Sequence, residues 1–586
     1  MAPKKAQAPV AADGKLRPKR AAVTKSTTTT TTANTAKKRN AKSTAAPKTK
    51  ATTAKTQAKK PAASKKTAAP KTAAGSLAAQ KASVSKTSTT ANTSKKRKAD
   101  TEADDTKAAK KGKAAPRAEP VKRPVKEPKK KVLQKGPVIT EPPKDVLDVL
   151  VFGEGSAGEL GLGTRKNAVD VKRPRLNANL NSDEAAVVQL SAGAMHVVAL
   201  TADNRVLTWG VNDNGALGRD TEWDGGLVDA DAAEKAEDED SDDDDDDSGL
   251  NPREATPTEI DLSTTELAEG TNWSKVVAGD SCTLALTDDG KVYGCGTFRG
   301  NEGPFGFTAD AEVVRRFIII EELKNIVDIA CGANHALALD NKGVVFAWGA
   351  GEQNQLGRKI VERNKRSSLL PREVGMPRGA KKQIKKVFSG PYHSFAITHN
   401  DELYAWGLNA TGQTGVETTD VGESGAIIPN AQHVKVLAGK GIVSVAGGSH
   451  HTIVATADGE CLTWGRIDAG QLGFTQAEFE AMSDDAVKKN EHGKPGALLV
   501  PTRVTRVEGH ASIVSAGPEH SLVVTKEGKA YSCGFSANYQ TGLGTDDEVW
   551  EMTLIDNTAV KSRILNGVSA GAQFSTLTAQ RAMETA

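Results

Sequence analysis

Several features of secreted, membrane-bound or enzymatic proteins are scarce or missing in this sequence of 586 residues. Pro3, Lys4 and Lys5 stand near the start, and no apolar stretch follows that would serve as the core of a secretory signal peptide. No apolar run reaches the roughly 18 residues that a transmembrane helix needs. We therefore expect an intracellular, soluble protein with no membrane partner.

Cysteine is also scarce, and its placement argues against disulfides and metal sites. No Cys-x-x-Cys pair occurs, and all five cysteines lie in strands or turns of the repeat described below: Cys282, Cys295, Cys331, Cys461 and Cys533. This placement is typical of reduced core residues. The sequence also lacks a nucleophile elbow, a P-loop, a zincin helix and a paired-carboxylate motif. We predict a protein that performs no covalent catalysis and needs no cofactor or metal.

Opposite charges are separated along the chain. Residues 1–144 contain 38 Lys and Arg against 8 Asp and Glu, whereas residues 145–586 contain 40 against 65. The first segment consists largely of Ala, Thr, Lys, Ser and Pro, and it has too few apolar side chains to offset the entropy of ordering. The sequence predicts a disordered basic tail over residues 1–144 and one globular domain over residues 145–580.

The tail has the chemistry of a segment that binds polyanions. Its excess of positive charge favours contact with DNA phosphates by counterion release, without sequence-specific reading of the bases. It also contains a cluster of the type that importin recognises in nuclear import: Lys95, Lys96, Arg97 and Lys98. We therefore expect a nuclear, chromatin-associated protein. The competing interpretation is a tail that only keeps the protein soluble.

One pattern occurs seven times in the remainder of the chain. Its first half joins two apolar strands through Ala-Gly or an equivalent pair, at Ala192-Gly193, Ala278-Gly279, Cys331-Gly332, Ser389-Gly390, Ala446-Gly447, Ala516-Gly517 and Ala570-Gly571. Its second half is a strand that ends in Trp-Gly or an equivalent pair, at Phe152-Gly153, Trp209-Gly210, Cys295-Gly296, Trp348-Gly349, Trp406-Gly407, Trp464-Gly465 and Cys533-Gly534. Most copies lie 53 to 58 residues apart. A repeat of this length with several short strands predicts an all-β fold, a seven-bladed β-propeller.

The two halves of the pattern are offset at the chain ends. The first Trp-Gly half has no Ala-Gly half before it, and the last Ala-Gly half has no Trp-Gly half after it. We predict that residues 568–578 pair with residues 147–152 in one blade. This pairing closes the ring and removes free sheet edges.

Two repeats contain insertions, over residues 224–250 and 474–500. The first carries 13 acidic residues against one Lys between positions 229 and 247. Such a run is most often a solvated loop, and the alternative is a segment that binds histones or cations. We expect both insertions to be loops that leave the ring and return.

Five histidines fall at one repeat position: His196, His335, His393, His450 and His520. A metal site is one interpretation of such a set. A shared repeat position, however, places the members in equivalent and separate environments around the ring. We therefore favour a hydrogen bond at the end of a strand for each of them.

The chain resembles the regulator of chromosome condensation family, the nucleotide exchange factors for the nuclear GTPase Ran. The resemblance covers residues 147–578 and rests on segments such as 278–290 and 351–358. The repeat alone is shared with ubiquitin ligases, photoreceptors and trafficking proteins. A more specific feature is the sequence Gly-Thr-Phe-Arg-Gly-Asn-Glu-Gly-Pro-Phe-Gly at 296–306, which replaces the usual Gly-Gln-Leu-Gly turn and resembles the β-wedge that enters the GTPase. We call residues 296–306 the wedge.

The resemblance implies a set of residues for exchange on a Ran-type GTPase. In the wedge they are Phe298, Arg299, Asn301, Glu302 and Gly303; around it they are Asp280, Asn334, Arg358 and His450. Asn334 stands where the family has an acidic residue, and Phe574 stands where it has a histidine. The competing hypothesis is a non-catalytic propeller adaptor on chromatin, for example one that recognises ubiquitin-ligase substrates.

The resemblance also implies a contact with histones. Family members dock on the acidic patch of the nucleosome with arginines in the loop that follows the fourth Gly-Gln-Leu-Gly turn. That loop is 359–366 in this sequence, so the candidates are Arg363 and Arg366. The alternative interpretation is a solvated basic loop.

Overall fold

Seven antiparallel sheets surround a central channel. The computed structural model describes residues 133–181, 183–224, 248–380, 383–418 and 426–581. Within them, six sheets have four strands and one has five, and a further hairpin of two strands stands apart. The predicted seven-bladed all-β propeller is confirmed. The predictions for residues 1–132, including Lys95, Lys96, Arg97 and Lys98, and for the acidic run lie outside the described residues.

The strands are numbered along the chain. The chain enters the ring with β1 (Leu147–Glu154) and β2 (Asp170–Leu176). The first three complete blades, with strands ordered from the channel outwards, are blade 1 with β3 (Val187–Ala192), β4 (His196–Thr201), β5 (Val206–Gly210) and β6 (Thr258–Glu259); blade 2 with β7 (Trp273–Ala278), β8 (Cys282–Thr287), β9 (Val292–Gly296) and β12 (Val314–Ile319); and blade 3 with β13 (Ile326–Cys331), β14 (His335–Asp340), β15 (Val345–Gly349) and β16 (Arg372–Glu373). The separate hairpin between β9 and β12 consists of β10 (Phe298–Gly300) and β11 (Gly303–Gly306).

Three further complete blades follow in the same arrangement. They are blade 4 with β17 (Ile384–Ser389), β18 (His393–Thr398), β19 (Leu403–Leu408) and β20 (Ile427–His433); blade 5 with β21 (Ile442–Gly447), β22 (His451–Thr456), β23 (Cys461–Arg466), β25 (Pro495–Arg503) and β24 (Val487–Lys489); and blade 6 with β26 (Ala511–Ala516), β27 (His520–Thr525), β28 (Ala530–Gly534) and β29 (Val549–Leu554).

Blade 7 is built from both ends of the described chain. Its order from the channel outwards is β30 (Leu565–Ala570), β31 (Phe574–Gln580), β1 and β2. Strand β1 pairs with β31 without interruption, from Leu147 opposite Gln580 to Gly153 opposite Phe574. The predicted closure of the ring is therefore confirmed.

Helices in the described part of the chain are short and lie between strands. They are α1 (Pro252–Ala255), α2 (Gln476–Ala481) and α3 (Thr558–Lys561), with 3-10 turns at Lys166–Ala168, Ala178–Leu180, Asp213–Gly215, Glu362–Leu369 and Lys435–Leu437. The second insertion is not the loop we expected, because it forms α2 and the additional strand β24 on the edge of blade 5. A capping box begins α2: Glu478 N donates to Thr475 Oγ1, and Thr475 N donates to the Glu478 carboxylate.

Buried histidines connect neighbouring blades. Nε2 of each lies 2.7–3.0 Å from a hydroxyl of the next blade in five pairs: His196 with Thr283, His335 with Ser394, His393 with Thr452, His451 with Ser521, and His520 with Ser575. Burial lowers the pKa of these imidazoles, to about 4 for His196 and to about 3 for the other four, so they are neutral at physiological pH. The predicted strand-end hydrogen bonds are confirmed for four of the expected histidines.

The prediction is wrong for the fifth, because His451 rather than His450 occupies the repeat position. Gly448 N donates to His451 O, as Gly193 N donates to His196 O in blade 1. The fifth copy of the pattern contains two consecutive glycines, so counting from the first of them shifts the assignment by one residue.

Residues 135–140, assigned to the tail by composition, pack against the turn after β8. Lys135 Nζ lies 2.6 Å from Asp288 Oδ2, and Gly136 N donates to Asp289 Oδ2 at 2.9 Å. Ile139 N donates to the carbonyl of Asp288. The described chain therefore reaches blade 2 before it enters blade 7.

Candidate functional site

One face of the ring carries the wedge. Because blade strands are antiparallel, the loop that follows the innermost strand and the loop that follows the third strand emerge on the same side. In blade 2 this is shown by the hydrogen bond from Thr297 N to Ser281 O at 2.8 Å. We call the side that carries these loops the wedge face.

The wedge has a buried base and an exposed tip. The Phe298 side chain is fully buried and stacks on Phe307, with ring centroids 5.8 Å apart and an interplanar angle of 10°. Asn301 and Glu302 form the exposed turn. Gly303 follows with φ +113°, a conformation that other residues rarely adopt, and a Cβ there would have no atom within 4 Å. Phe298 thus anchors the hairpin, while the tip faces solvent.

Arg299 and Asn301 make three polar contacts that hold the wedge to its neighbours. Arg299 Nη1 donates to Asp213 Oδ2 at 2.6 Å, and Arg299 N donates to Asn334 Oδ1 at 2.8 Å. Asn301 N donates to Glu352 Oε1 at 3.2 Å. Asp213 follows β5 in blade 1, whereas Asn334 and Glu352 belong to blade 3. Asn334 retains the acceptor oxygen that the family's acid would offer here but carries no charge.

A cavity of about 350 Å³ lies beside the wedge, and Asp280 lines it. Asp213, Arg299, Asn334, Glu352 and Tyr392 are among the other lining residues. Asp280 N donates to Ala333 O at 3.0 Å, which fixes the loop. Burial raises the pKa of the Asp280 carboxyl to about 6, and Arg299 opposes that shift. A basic group entering the cavity would favour the ionised form of this carboxyl.

His450 also lies on the wedge face. Its ring is 6.5 Å from the ring of Tyr392, centroid to centroid, and Thr411 Oγ1 donates to the His450 carbonyl at 2.7 Å. Burial lowers the pKa of His450. The structure therefore brings His450 near the cavity through Tyr392.

Arg358 has different surroundings from the other candidates. Its Nη1 donates to Ala347 O at 2.8 Å within blade 3, and burial lowers its pKa to about 10. Arg219 has equivalent contacts in blade 1, where Nη2 donates to Thr208 O at 2.8 Å. Arg358 does not line the cavity beside the wedge. Its contacts are those of a side chain that holds the outer part of its blade together.

The loop proposed to contact histones lies next to the wedge tip. It overlaps the 3-10 turn Glu362–Leu369, and the side chains of Arg363 and Arg366 are exposed. Lys365 Nζ lies 3.4 Å from Glu302 Oε2. A second cavity, of about 630 Å³, separates this loop from the wedge. The two arginines are thus available to a partner that approaches the rim of the wedge face.

Asp213, Glu352 and Tyr392 belong to the site but escaped the sequence analysis. Tyr392 stands two residues after the glycine of its Ser389-Gly390 pair, as Asn334 stands two residues after Gly332. Aligning this position in all seven repeats would have identified Tyr392. No local signal marks Asp213 or Glu352, because their importance comes from contact with a hairpin of another blade.

The described residues contain no group of three or more His, Cys, Asp or Glu side chains that could hold a metal ion. In the same part of the chain, no helix is long and apolar enough to cross a membrane. What the wedge face presents is a hairpin, a charged cavity and ordered loops. This arrangement is suited to binding a macromolecule.

Sequence comparisons agree with the geometry. The model of the RCC1-like domain matches residues 148–577. The Guanine nucleotide exchange factor SRM1 of Saccharomyces cerevisiae is 40% identical over 435 residues, which cover 73% of this chain and 86% of that protein. The human Regulator of chromosome condensation is 31% identical over 439 residues, which cover 73% of this chain and 90% of that protein.

Solved structures agree as well. The crystal structure of Prp20p from Saccharomyces cerevisiae, described with its binding properties to Gsp1p and histones, is similar with a TM-score of 0.66 and 36% identity. It covers 76% of this chain and 94% of that chain. Yeast RCC1 (Prp20) in its structure with Kap60 gives a TM-score of 0.67 and 35% identity, covering 79% of this chain and 97% of that chain. These similarities confirm the resemblance drawn from the repeats.

Proposed function

This chain belongs to the regulator of chromosome condensation family, and we propose that it is a guanine nucleotide exchange factor for the GTPase Ran whose wedge face performs the exchange. The observation that carries the proposal is the wedge itself, a hairpin with an exposed tip, held to both neighbouring blades beside the cavity that Asp280 lines.

Exchange on this surface requires no covalent step. A factor accelerates GDP release when it binds the nucleotide-free GTPase more tightly than the loaded one, and the coupling is reciprocal. A closed ring of seven blades gives the wedge a stiff support. The wedge tip, Asn301 and Glu302, would press on the nucleotide site, while Asp280 and His450 bind neighbouring parts of the GTPase.

Release of fluorescent GDP from Ran tests this proposal. Micromolar protein should accelerate release, and the double substitution Asn301→Ala, Glu302→Ala should remove most of the acceleration without unfolding, because both side chains are exposed. The matched control is Glu491→Ala, His492→Ala, two exposed side chains in the insertion of blade 5. If the unmodified protein does not accelerate GDP release, the proposed exchange activity on Ran is wrong.

Attachment to chromatin is the second part of the proposal. Exposed Arg363 and Arg366 supply guanidinium groups that pair bidentately with carboxylates, which suits the acidic surface of histones. The basic tail supplies DNA contacts that do not depend on sequence, and Lys95, Lys96, Arg97 and Lys98 supply the importin signal. Similar yeast proteins are described with histone binding and with bound Kap60. Together these features support a nuclear exchange factor held on chromatin.

A further inference from the structure

We propose that Asp213 and Glu352 are positioning residues that clamp the wedge from two sides in the orientation needed for exchange. The inference rests on the proposed function of the wedge face. It concerns two carboxylates whose effect on the GTPase is exerted through the hairpin.

The hairpin needs such support because it is short. Strands β10 and β11 have three and four residues and form a sheet of their own, separate from blade 2. A lone two-stranded hairpin is marginally stable in water. Phe298 fixes the base by burial and Phe305 packs partly against the same core, whereas the exposed tip between them is oriented by polar contacts.

Asp213 is itself held in place. Asn214 Nδ2 donates to Asp213 Oδ1 at 2.7 Å, and Ser281 Oγ donates to Oδ2 at 3.1 Å. Oδ2 also accepts from Arg299 Nη1 at 2.6 Å. A carboxylate with both oxygens engaged gives the arginine a fixed partner. The ion pair holds Arg299 at Asp213, while the charge of Arg299 also acts on the Asp280 carboxyl and opposes the rise of its pKa.

Glu352 supports the opposite side of the hairpin. Its Oε1 accepts from Asn301 N at 3.2 Å, and a Cβ placed on Gly300 would lie 3.1 Å from the same oxygen. Glycine at 300 therefore permits the close approach. Because Asp213 comes from blade 1 and Glu352 from blade 3, the wedge of blade 2 is held between both of its neighbours.

Two measurements on full-length variants test the clamp. Hydrogen exchange followed by mass spectrometry reports the mobility of residues 298–306, and a titration of GDP release separates the maximal rate from the half-saturating concentration. Asp213→Ala and Glu352→Ala should each raise amide exchange in the wedge and lower the maximal rate by about threefold to tenfold, the range for partly exposed charged contacts. The melting temperature should stay that of the unmodified protein.

Matched variants separate this role from others. Glu352→Gln keeps the acceptor oxygen and should behave as the unmodified protein. Asp261→Ala removes a comparably exposed ion pair, to Arg316 at 2.9 Å, that does not involve the wedge, and it should change neither measurement. Asp213→Ala should have no further effect in an Arg299→Ala background, because it acts through that arginine.

Three outcomes would overturn the clamp. One is unchanged wedge mobility in both alanine variants. Another is slower GDP release with unchanged mobility, which would mean that the carboxylates touch the GTPase directly. The third is equal loss in Glu352→Gln and Glu352→Ala. If the unmodified protein does not accelerate GDP release, the exchange function fails instead, while the mobility measurement still decides the clamp.

Discussion

Burial sets the charge of individual side chains on and near the wedge face, and it acts in opposite directions on acids and bases. It raises the pKa of Asp280 to about 6 and lowers that of His335 to about 3. His335 is therefore a neutral structural group that bonds with the next blade. Asp280, in contrast, changes its charge within the pH range in which binding to a partner is measured.

Asp280→Asn should remove a pH dependence of GTPase binding. As pH rises from 5.5 to 7.5, the unmodified Asp280 ionises, so its affinity for nucleotide-free Ran should increase. The asparagine variant should show a flat profile and a loss of about 1.5–3 kcal/mol at pH 7.5, the value of a hydrogen bond to a charged group. Binding measured across this pH range checks the prediction, and parallel profiles of the two proteins would contradict it.

The same substitution should affect folding with the opposite sign. Because the pKa of Asp280 is raised in the folded state, its protonated carboxyl stabilises the folded protein relative to the ionised carboxyl. That contribution to the free energy of unfolding is complete below the unfolded pKa and is lost as pH rises through about 6. Asp280→Asn should therefore unfold at a higher temperature than the unmodified protein at pH 7.5, and the difference should shrink towards pH 4. Thermal unfolding at both pH values measures this.

At the scale of elements, a helix cap helps to order the second insertion, which we had expected to be a loop. The second insertion forms α2 and β24, and Glu478 contributes twice: it completes the capping box, and its carboxylate pairs with Arg506 at 2.9 Å. Phe479 is buried on the inner side of the helix. The insertion is thereby attached to blade 5.

Thr475→Ala should destabilise the insertion. The hydroxyl that accepts from Glu478 N is lost, which costs about 1 kcal/mol for a typical helix N-cap. Thr475→Ser keeps the hydroxyl and should be close to neutral. Amide exchange of residues 475–490 measures the effect, and GDP release should be unchanged because the insertion lies in a different blade from the wedge. Equal protection in the alanine and serine variants would contradict the capping role.

At the scale of the whole molecule, stability depends on closing the ring. Strands β30 and β31 are the inner half of blade 7, and β1 pairs with β31 along seven residue positions. Without them, blade 7 would expose the edge of β1, and the apolar faces of blades 6 and 1 would lose their cover.

Truncation after Ala559 should therefore give an insoluble protein or one that unfolds without cooperativity. Truncation after Arg581, which retains both closing strands, is the control and should remain soluble. Solubility and a calorimetric scan distinguish the two. A soluble product of the first truncation that melts cooperatively would count against closure as the source of stability.

Chromatin attachment also belongs to the whole molecule. Deleting residues 1–132, which spares the segment bound to blade 2, should weaken binding to free DNA and flatten its salt dependence, because fewer counterions are released.

The double substitution Arg363→Ala, Arg366→Ala should weaken nucleosome binding and leave binding to free DNA unchanged. The control Arg503→Ala, on blade 5, should leave nucleosome binding unchanged as well. If the double variant of the tail-deleted protein binds nucleosomes with unchanged affinity, loop 359–366 does not contact the nucleosome.

The sequence by itself determined the propeller, the number of blades and the closing pair of strands. These follow from alternating apolar residues and from glycines at fixed turn positions, which are local signals repeated seven times. Its departure from the repeat singled out the segment 296–306, and the resemblance to the family implied that this segment is the wedge. Within the repeat, local spacing failed where two glycines in succession shifted the frame, so that His450 was assigned the position that His451 occupies. Outside the repeat, composition failed at residues 135–140 and in the second insertion.

The tertiary structure decided which side chains meet around the wedge. Asp213 and Glu352 are far from residues 296–306 in the sequence, and only the juxtaposition of blades 1, 2 and 3 brings them to Arg299 and Asn301. The same juxtaposition gives Asp280 its raised pKa. A repeat pattern encodes the contacts within a blade, whereas contacts between loops of different blades depend on how closed sheets pack, and a periodic pattern does not contain that information.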